Sequence, residues 1–162
     1  METRTFSSDL KLGLELETKI TDSLLQVAEV ENSQEYNPDF DIVLPELDIT
    51  LEVKHDKASD VYENYCIETR FENQPSGINS TKASVWIQAN NSGLLILNRI
   101  ALLDMVSKMT KITRDIQGKD VELCLIPQVA LRMHGTMVQP EDDHNTYDPN
   151  KLLYSIIKES DN

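Results

Sequence analysis

The chain has 162 residues, 40% of them hydrophobic and 27% charged, and carries a net charge of −13. That length suits one domain with a real core over residues 1–162, and the composition excludes a disordered polyelectrolyte. No apolar run approaches the ~20 residues of a membrane helix. The acidic field opposes broad, nonspecific attachment to nucleic acid, but leaves room for a site where a divalent cation supplies positive charge.

Residues 7–30 read as the first helix, with Leu10, Leu14, Leu16, Ile20, Leu24 and Leu25 at mostly helical spacing and Ser8 or Asp9 as its cap. Glu17 shares a stripe with Ile20 and Leu24, which lays a carboxylate along an apolar seam. Taken alone, it reads as a rim glutamate whose stem lies on the core. A polar connector (31–38) leads to a hairpin (39–54), and YENYCIETRF (62–71) reads as a third strand. The loop ENQPSGINST follows, then two strands, KASVWIQA and GLLILN, parted by NNSG. Residues 98–110 have helical periodicity, 119–127 read as a strand, and 149–158 as a short helix with proline in its first turn. Between the last two runs an acidic loop, PEDDHNTYDPN. The order implies a mixed α/β fold, most economically one sheet with helices packed on it.

Alternation along the hairpin puts Phe40, Ile42 and Leu44 on one face of the first arm, and Ile49, Leu51 and Val53 on the matching face of the second. Glu52 and Lys54 then share the opposite face with Asp39 and Asp41. A four-residue loop, PELD, closing on Leu44 and Ile49, keeps apolar against apolar. It sets Asp41 opposite Glu52 and Asp39 opposite Lys54, with directly opposed Cβ atoms about 5 Å apart. Closing on LPEL also keeps the faces correct but brings Asp39 to Glu52, so the pattern selects a face and leaves two aspartates, of which Asp41 is favoured. Opposed like charges destabilise a hairpin unless something neutralises them. A hard cation such as Mg²⁺ does so through carboxylate oxygens and water. The plainer alternative is a solvent-facing hairpin in which Asp39 and Lys54 pair.

An aspartate followed by acidic-x-Lys at the end of a second strand resembles the PD-(D/E)XK nuclease superfamily; here these are Asp41 and Glu52-Val53-Lys54. The preceding GLELETKITDSLL resembles the family's first helix, with Glu17 at the position of its metal-site glutamate. YCIETRFENQPSGINSTKASVWIQ is similar to a stretch of phage members, carried by Glu68, Ser76, Gly77, Ile78, Lys82, Ala83 and Trp86. The resemblance spans roughly residues 10–90. It implies a restriction-endonuclease-like fold, a mixed central β-sheet flanked by helices, and hydrolysis of a phosphodiester. On that pattern Asp41, Glu52 and the Val53 carbonyl hold Mg²⁺ or Mn²⁺, with Glu17 directly or through water, and Lys54 orients or helps deprotonate the attacking water. Lys57, Arg70, Ser76 and Lys82 are the substrate-side candidates. A solvated surface charge is the commoner role for each of the three cations.

The implied protein is a metal-dependent DNA endonuclease of the small phage-resolvase kind, serving recombination, repair or host-DNA breakdown. A homodimer suits the two cuts that a duplex needs. The alternative is a nuclease-fold protein that no longer cuts, an acidic protein-interaction module or DNA mimic. The N-terminus METRTFSSDLK lacks the charge and apolar stretch of a secretory signal. Cys66 and Cys124 make no disulfide framework, so the cytoplasm, or a host's cytoplasm, is the expected compartment. Both cysteines read as small buried hydrophobes and Trp86 as core. His55 points away from Lys54, and His134 and His144 lack partners at ligand spacing.

Overall fold

The computed structural model describes residues 6–32, 39–144 and 146–161. Most of the polar connector, including Asn37 and Pro38, lies outside the described residues. In chain order the elements are α1 (Phe6–Leu24), β1 (Glu31–Asn32), β2 (Ile42–Leu44), β3 (Ile49–His55), β4 (Asn64–Phe71), β5 (Gln74–Pro75), β6 (Val85–Asn90) and β7 (Gly93–Asn98). There follow α2 (Arg99–Ser107), β8 (Ile112–Ile116), β9 (Lys119–Pro127), α3 (Gln128–Arg132), β10 (Thr136–Val138) and α4 (Pro149–Ser160).

The fold is mixed α/β, with a mixed central sheet in the order β1-β2-β3-β6-β7-β10 and helices packed on it. Its neighbours are antiparallel except β3 and β6, which run parallel, with Leu51 beside Val85 and Lys54 beside Gln88. Every residue of β6 and β7 is buried. Their near-continuous apolar runs are what strands covered on both faces require. On one face Ile20 and Leu24 of α1 and Leu152 and Ile156 of α4 pack against Leu51, Val53, Ile87 and Ile96.

What covers the other face departs from the one-sheet expectation. A second sheet, β5-β4-β9-β8, lies there, so that Tyr65, Ile67, Cys124 and Ile126 pack with Trp86, Leu95 and Leu97. The chain leaves β3, builds β4 and β5 in the second sheet, and returns to β6. Strands β4 and β9 bury only some of their residues, Tyr65, Ile67 and Thr69 in one and Val121, Cys124 and Ile126 in the other, so each needs a single covered face; the sequence pattern does not reveal which sheet a strand joins.

Helix α1 also differs from its expected extent and packing. It ends at Leu24, and Ser8 and Asp9 lie inside it rather than at its cap. Leu10, Leu14 and Leu25 are more than half exposed, because the apolar side that packs on the core is the stripe Leu16–Ile20–Leu24. α2 and α4 are capped by side chains: Asn98 accepts from the Ala101 N–H, and Asp148 from those of Asn150 and Lys151.

Candidate functional site

The β2–β3 hairpin has the register in which PELD closes on Leu44 and Ile49, with Val43 opposite Thr50 and Ile42 opposite Leu51. Pro45–Leu47 form a 3-10 turn, and Asp48 completes it at φ +54°, a conformation that aspartate tolerates better than most residues. The ladder stops at Ile42. The Asp41 N–H donates to the Leu51 carbonyl at 2.9 Å, while its Oδ2 accepts the Val53 N–H at 2.8 Å. The Asp41 side chain thus takes the place of the next backbone acceptor.

That ending rearranges the expected charge pairs. Asp39 turns to Lys82, with 3.2 Å between ammonium and carboxylate, and Lys54 turns to Glu52 at 2.6 Å. Both ends of the latter pair come from one face of β3, two residues apart, so strand geometry alone brings them together. Within that face Glu52 is 8% exposed, held between Lys54 and the Thr81 hydroxyl.

Glu17, Asp41, Glu52 and Lys54 act on one another electrostatically. Burial first, then the neighbouring Asp41, pushes the Glu17 carboxyl up to about 7. Burial also raises Asp41 above its ordinary value, against the Val53 N–H and Lys54. Glu52 is likewise raised by burial, with Lys54 opposing and Asp41 adding to it. Burial pulls the Lys54 ammonium down, but Glu52, Asp41 and Glu68 outweigh it and hold the group above its ordinary value. Three carboxyl groups and one ammonium therefore lie within electrostatic reach of one another, Glu52 buried and Glu17, Asp41 and Lys54 half-buried.

The loop between β5 and β6 supports this group from behind. The Ser76 hydroxyl donates to the Glu68 carboxylate. Gly77 has φ +52°, and a Cβ there would run into the Glu68 carbonyl, so only glycine lets the loop fold back on β4. Thr81 donates to Oε2 of Glu52 at 3.1 Å. Glu68 and Ser76 carried the family likeness in sequence. Thr81 did not stand out there, because no spacing rule ties residue 81 to residue 52.

The remaining candidates lie elsewhere or have structural partners. Lys57 and His55 line a cavity of about 650 Å³ with Leu12, Glu15 and Lys19, on the α1 side of β3. This is the side opposite Glu52, as alternation requires for His55. Arg70 donates to the Asn73 carbonyl at an exposed strand end. Trp86 is buried and donates to Gln88. Cys124 is buried, while Cys66 is half-buried, with burial and the adjacent Asp56 pushing its thiol up to about 11, far from a reactive thiolate. His134 and His144 are exposed. In the acidic loop, Asp142 caps its own turn by accepting the N–H groups of His144 and Thr146.

Among the described residues, no group of three or more His, Cys, Asp or Glu side chains is placed to hold a metal ion. No described helix is long and apolar enough to cross a membrane. Comparison with family models, curated proteins and solved structures gave no match.

Proposed function

We propose that this chain is a metal-dependent DNA endonuclease of the PD-(D/E)XK kind, with a restriction-endonuclease-like arrangement of its central sheet. The observation that carries this reading is the gathering of Glu17, Asp41 and Glu52 around Lys54 at one end of a hairpin. Among the described residues no three carboxylates are placed as a cage, but the two hairpin carboxyls, Asp41 and Glu52, are made more basic by burial, and one or two carboxylates with waters suffice for a hard divalent cation. Such a site needs more positive charge when its acids ionise, and Mg²⁺ or Mn²⁺ takes carboxylate oxygens while keeping several waters. Asp41, Glu52 and the Val53 carbonyl would hold the ion, with Glu17 beside them.

When bound, the cation supplies charge against the phosphate oxygens and lowers the pKa of water. The chain's own residues do the rest. Lys54, held by Glu52, would orient the attacking water and stabilise charge growing on the phosphate. Glu17, with its pKa near neutrality, is suited to hold or take a proton at the edge of the site. Lys82, paired with Asp39, and Ser76, bonded to Glu68, remain the proposed substrate-side groups. DNA is the proposed substrate, and a homodimer would place two such sites on a duplex.

One observation favours a second reading, a nuclease-like scaffold that binds proteins instead of cutting: the net charge of −13. A single experiment separates the two. Plasmid, single-stranded and four-way-junction DNA are incubated with the chain in Mg²⁺, Mn²⁺ or EDTA, with Lys54→Ala and Glu52→Ala beside it. Cation-dependent cutting that both variants lose by at least ~100-fold, the scale of a removed acid–base or electrostatic group, is the expected result. Equal cutting by all three, or none, defeats the assignment.

A further inference from the structure

Thr81 lies 5% exposed behind Glu52, where the loop enters β6. Its hydroxyl stands 3.1 Å from Oε2 of Glu52 and 3.0 Å from the Asp39 carbonyl oxygen. It also accepts the Ala83 N–H at 3.2 Å, which fixes where the hydroxyl oxygen sits. One proton cannot fully serve two acceptors. Of the two, the ionised carboxylate is the stronger acceptor. The Thr81 proton therefore belongs to Glu52.

The consequence is orientation. Oε1 of Glu52 meets Lys54 at 2.6 Å, and Oε2 meets Thr81, so the carboxylate plane is pinned at both ends. A carboxylate oxygen that accepts one hydrogen bond retains a second lone-pair direction. We infer that Thr81 is a positioning residue for Glu52: its hydroxyl fixes the carboxylate so that one oxygen faces Lys54 while the other stays directed for a cation. This rests on the metal-dependent reading above. It also gives the Ser-Gly loop a division of labour: Ser76 serves Glu68 on the second sheet, while Thr81 serves Glu52 on the first.

Groups that orient a metal ligand from behind are typically worth 10–100-fold in metal affinity or activity. The test uses the intact chain with Thr81→Val, which keeps the shape and removes the hydroxyl, and Thr81→Ser, which keeps the hydroxyl. Mn²⁺ binding is measured by calorimetry, the Mg²⁺ dependence of plasmid cutting in parallel, and folding by thermal melts. Thr81→Val is expected to weaken Mn²⁺ binding about tenfold and to shift the Mg²⁺ requirement in step, while Thr81→Ser restores both. A folded Thr81→Val chain that binds Mn²⁺ as wild type does overturns the inference. Should valine prevent folding, Thr81→Cys replaces it, since its thiol fills similar space but donates weakly. Weakened binding by Thr81→Cys supports the inference and unchanged binding overturns it. Wild type that binds no Mn²⁺ overturns the metal reading and this inference together, whereas wild-type binding with unaffected variants overturns this inference alone.

Discussion

A methyl group at residue 77 would meet the Glu68 carbonyl, and φ +52° there disfavours any Cβ. At residue 13, in the middle of α1, a methyl would meet nothing within 4 Å. Gly77→Ala is therefore expected to cost about 1–3 kcal/mol of unfolding free energy, and Gly13→Ala to add up to about 1 kcal/mol through helix propensity. Urea unfolding of both variants checks the pair; the same sign for both would refute the loop geometry. The carboxyl groups make a second prediction. Glu17 has an ordinary value of 4.5 and a folded one of about 7, and Asp41 and Glu52 are also raised. A carboxyl with a higher pKa folded than unfolded favours the fold while protonated. For Glu17 that contribution is whole below about pH 4.5 and lost as pH rises through about 7. In EDTA, stability should thus fall between pH 5 and pH 8, and Mg²⁺ should restore more at pH 8 than at pH 5. Melts at both values, with and without Mg²⁺, measure this; an equal Mg²⁺ effect would separate the ion from these acids.

Among the elements, β6, β7 and β9 were legible because each is a bounded apolar or alternating run, and the hairpin's faces because a one-residue slip would invert a strand; parity left PELD and LPEL closure both open, and the hairpin closes on PELD. β8 and β10 were not. β8 is exposed along almost its whole length, so it has no hydrophobic alternation to find, and β10 is three residues long. Helix α1 was legible as a helix, but Leu10 and Leu14 extended its apparent apolar face beyond the side that packs. In the site, the four charged residues could be placed by parity and spacing. Their partners could not, since Asp41 spends an oxygen on the Val53 N–H and so ends the ladder that would have set Asp39 against Lys54. Parity orders side chains within a strand and is silent about where pairing stops. Ile20, wholly buried between α1 and the sheet, tests the helix at this scale. Ile20→Ala is expected to cost about 2–5 kcal/mol, read from denaturant unfolding; a loss under about 1 kcal/mol would mean that α1 packs loosely.

At the scale of the molecule, the two sheets, packed through their apolar cluster, are also joined by a buried carboxylate. Asp56, just past β3, accepts the Cys66 N–H of β4 at 2.7 Å, the Gln88 side-chain amide of β6 at 2.8 Å and the Ser59 N–H at 3.2 Å. Asp56→Ala leaves three donors without this acceptor and is expected to cost about 3 kcal/mol or more, seen as a lowered denaturation midpoint. A loss below about 1 kcal/mol would show that the sheets hold by apolar contact alone. The return of the chain from β5 to β6 has a further consequence, for synthesis. Every charged residue of the site lies between Glu17 and Glu68, and Thr81 follows soon after. Yet β4, which carries Glu68, pairs along its length with β9, where Asn64 faces Pro127, and α4 closes over α1 and β7 from residue 149 onward. A chain emerging from the ribosome carries Glu17, Asp41, Glu52 and Glu68 well before β9 pairs with β4 and α4 packs on α1. β4 and α1 therefore lack these neighbours until residues 119–127 and 149–160 have been made, and each such long-range pairing carries the entropy cost of closing a long loop.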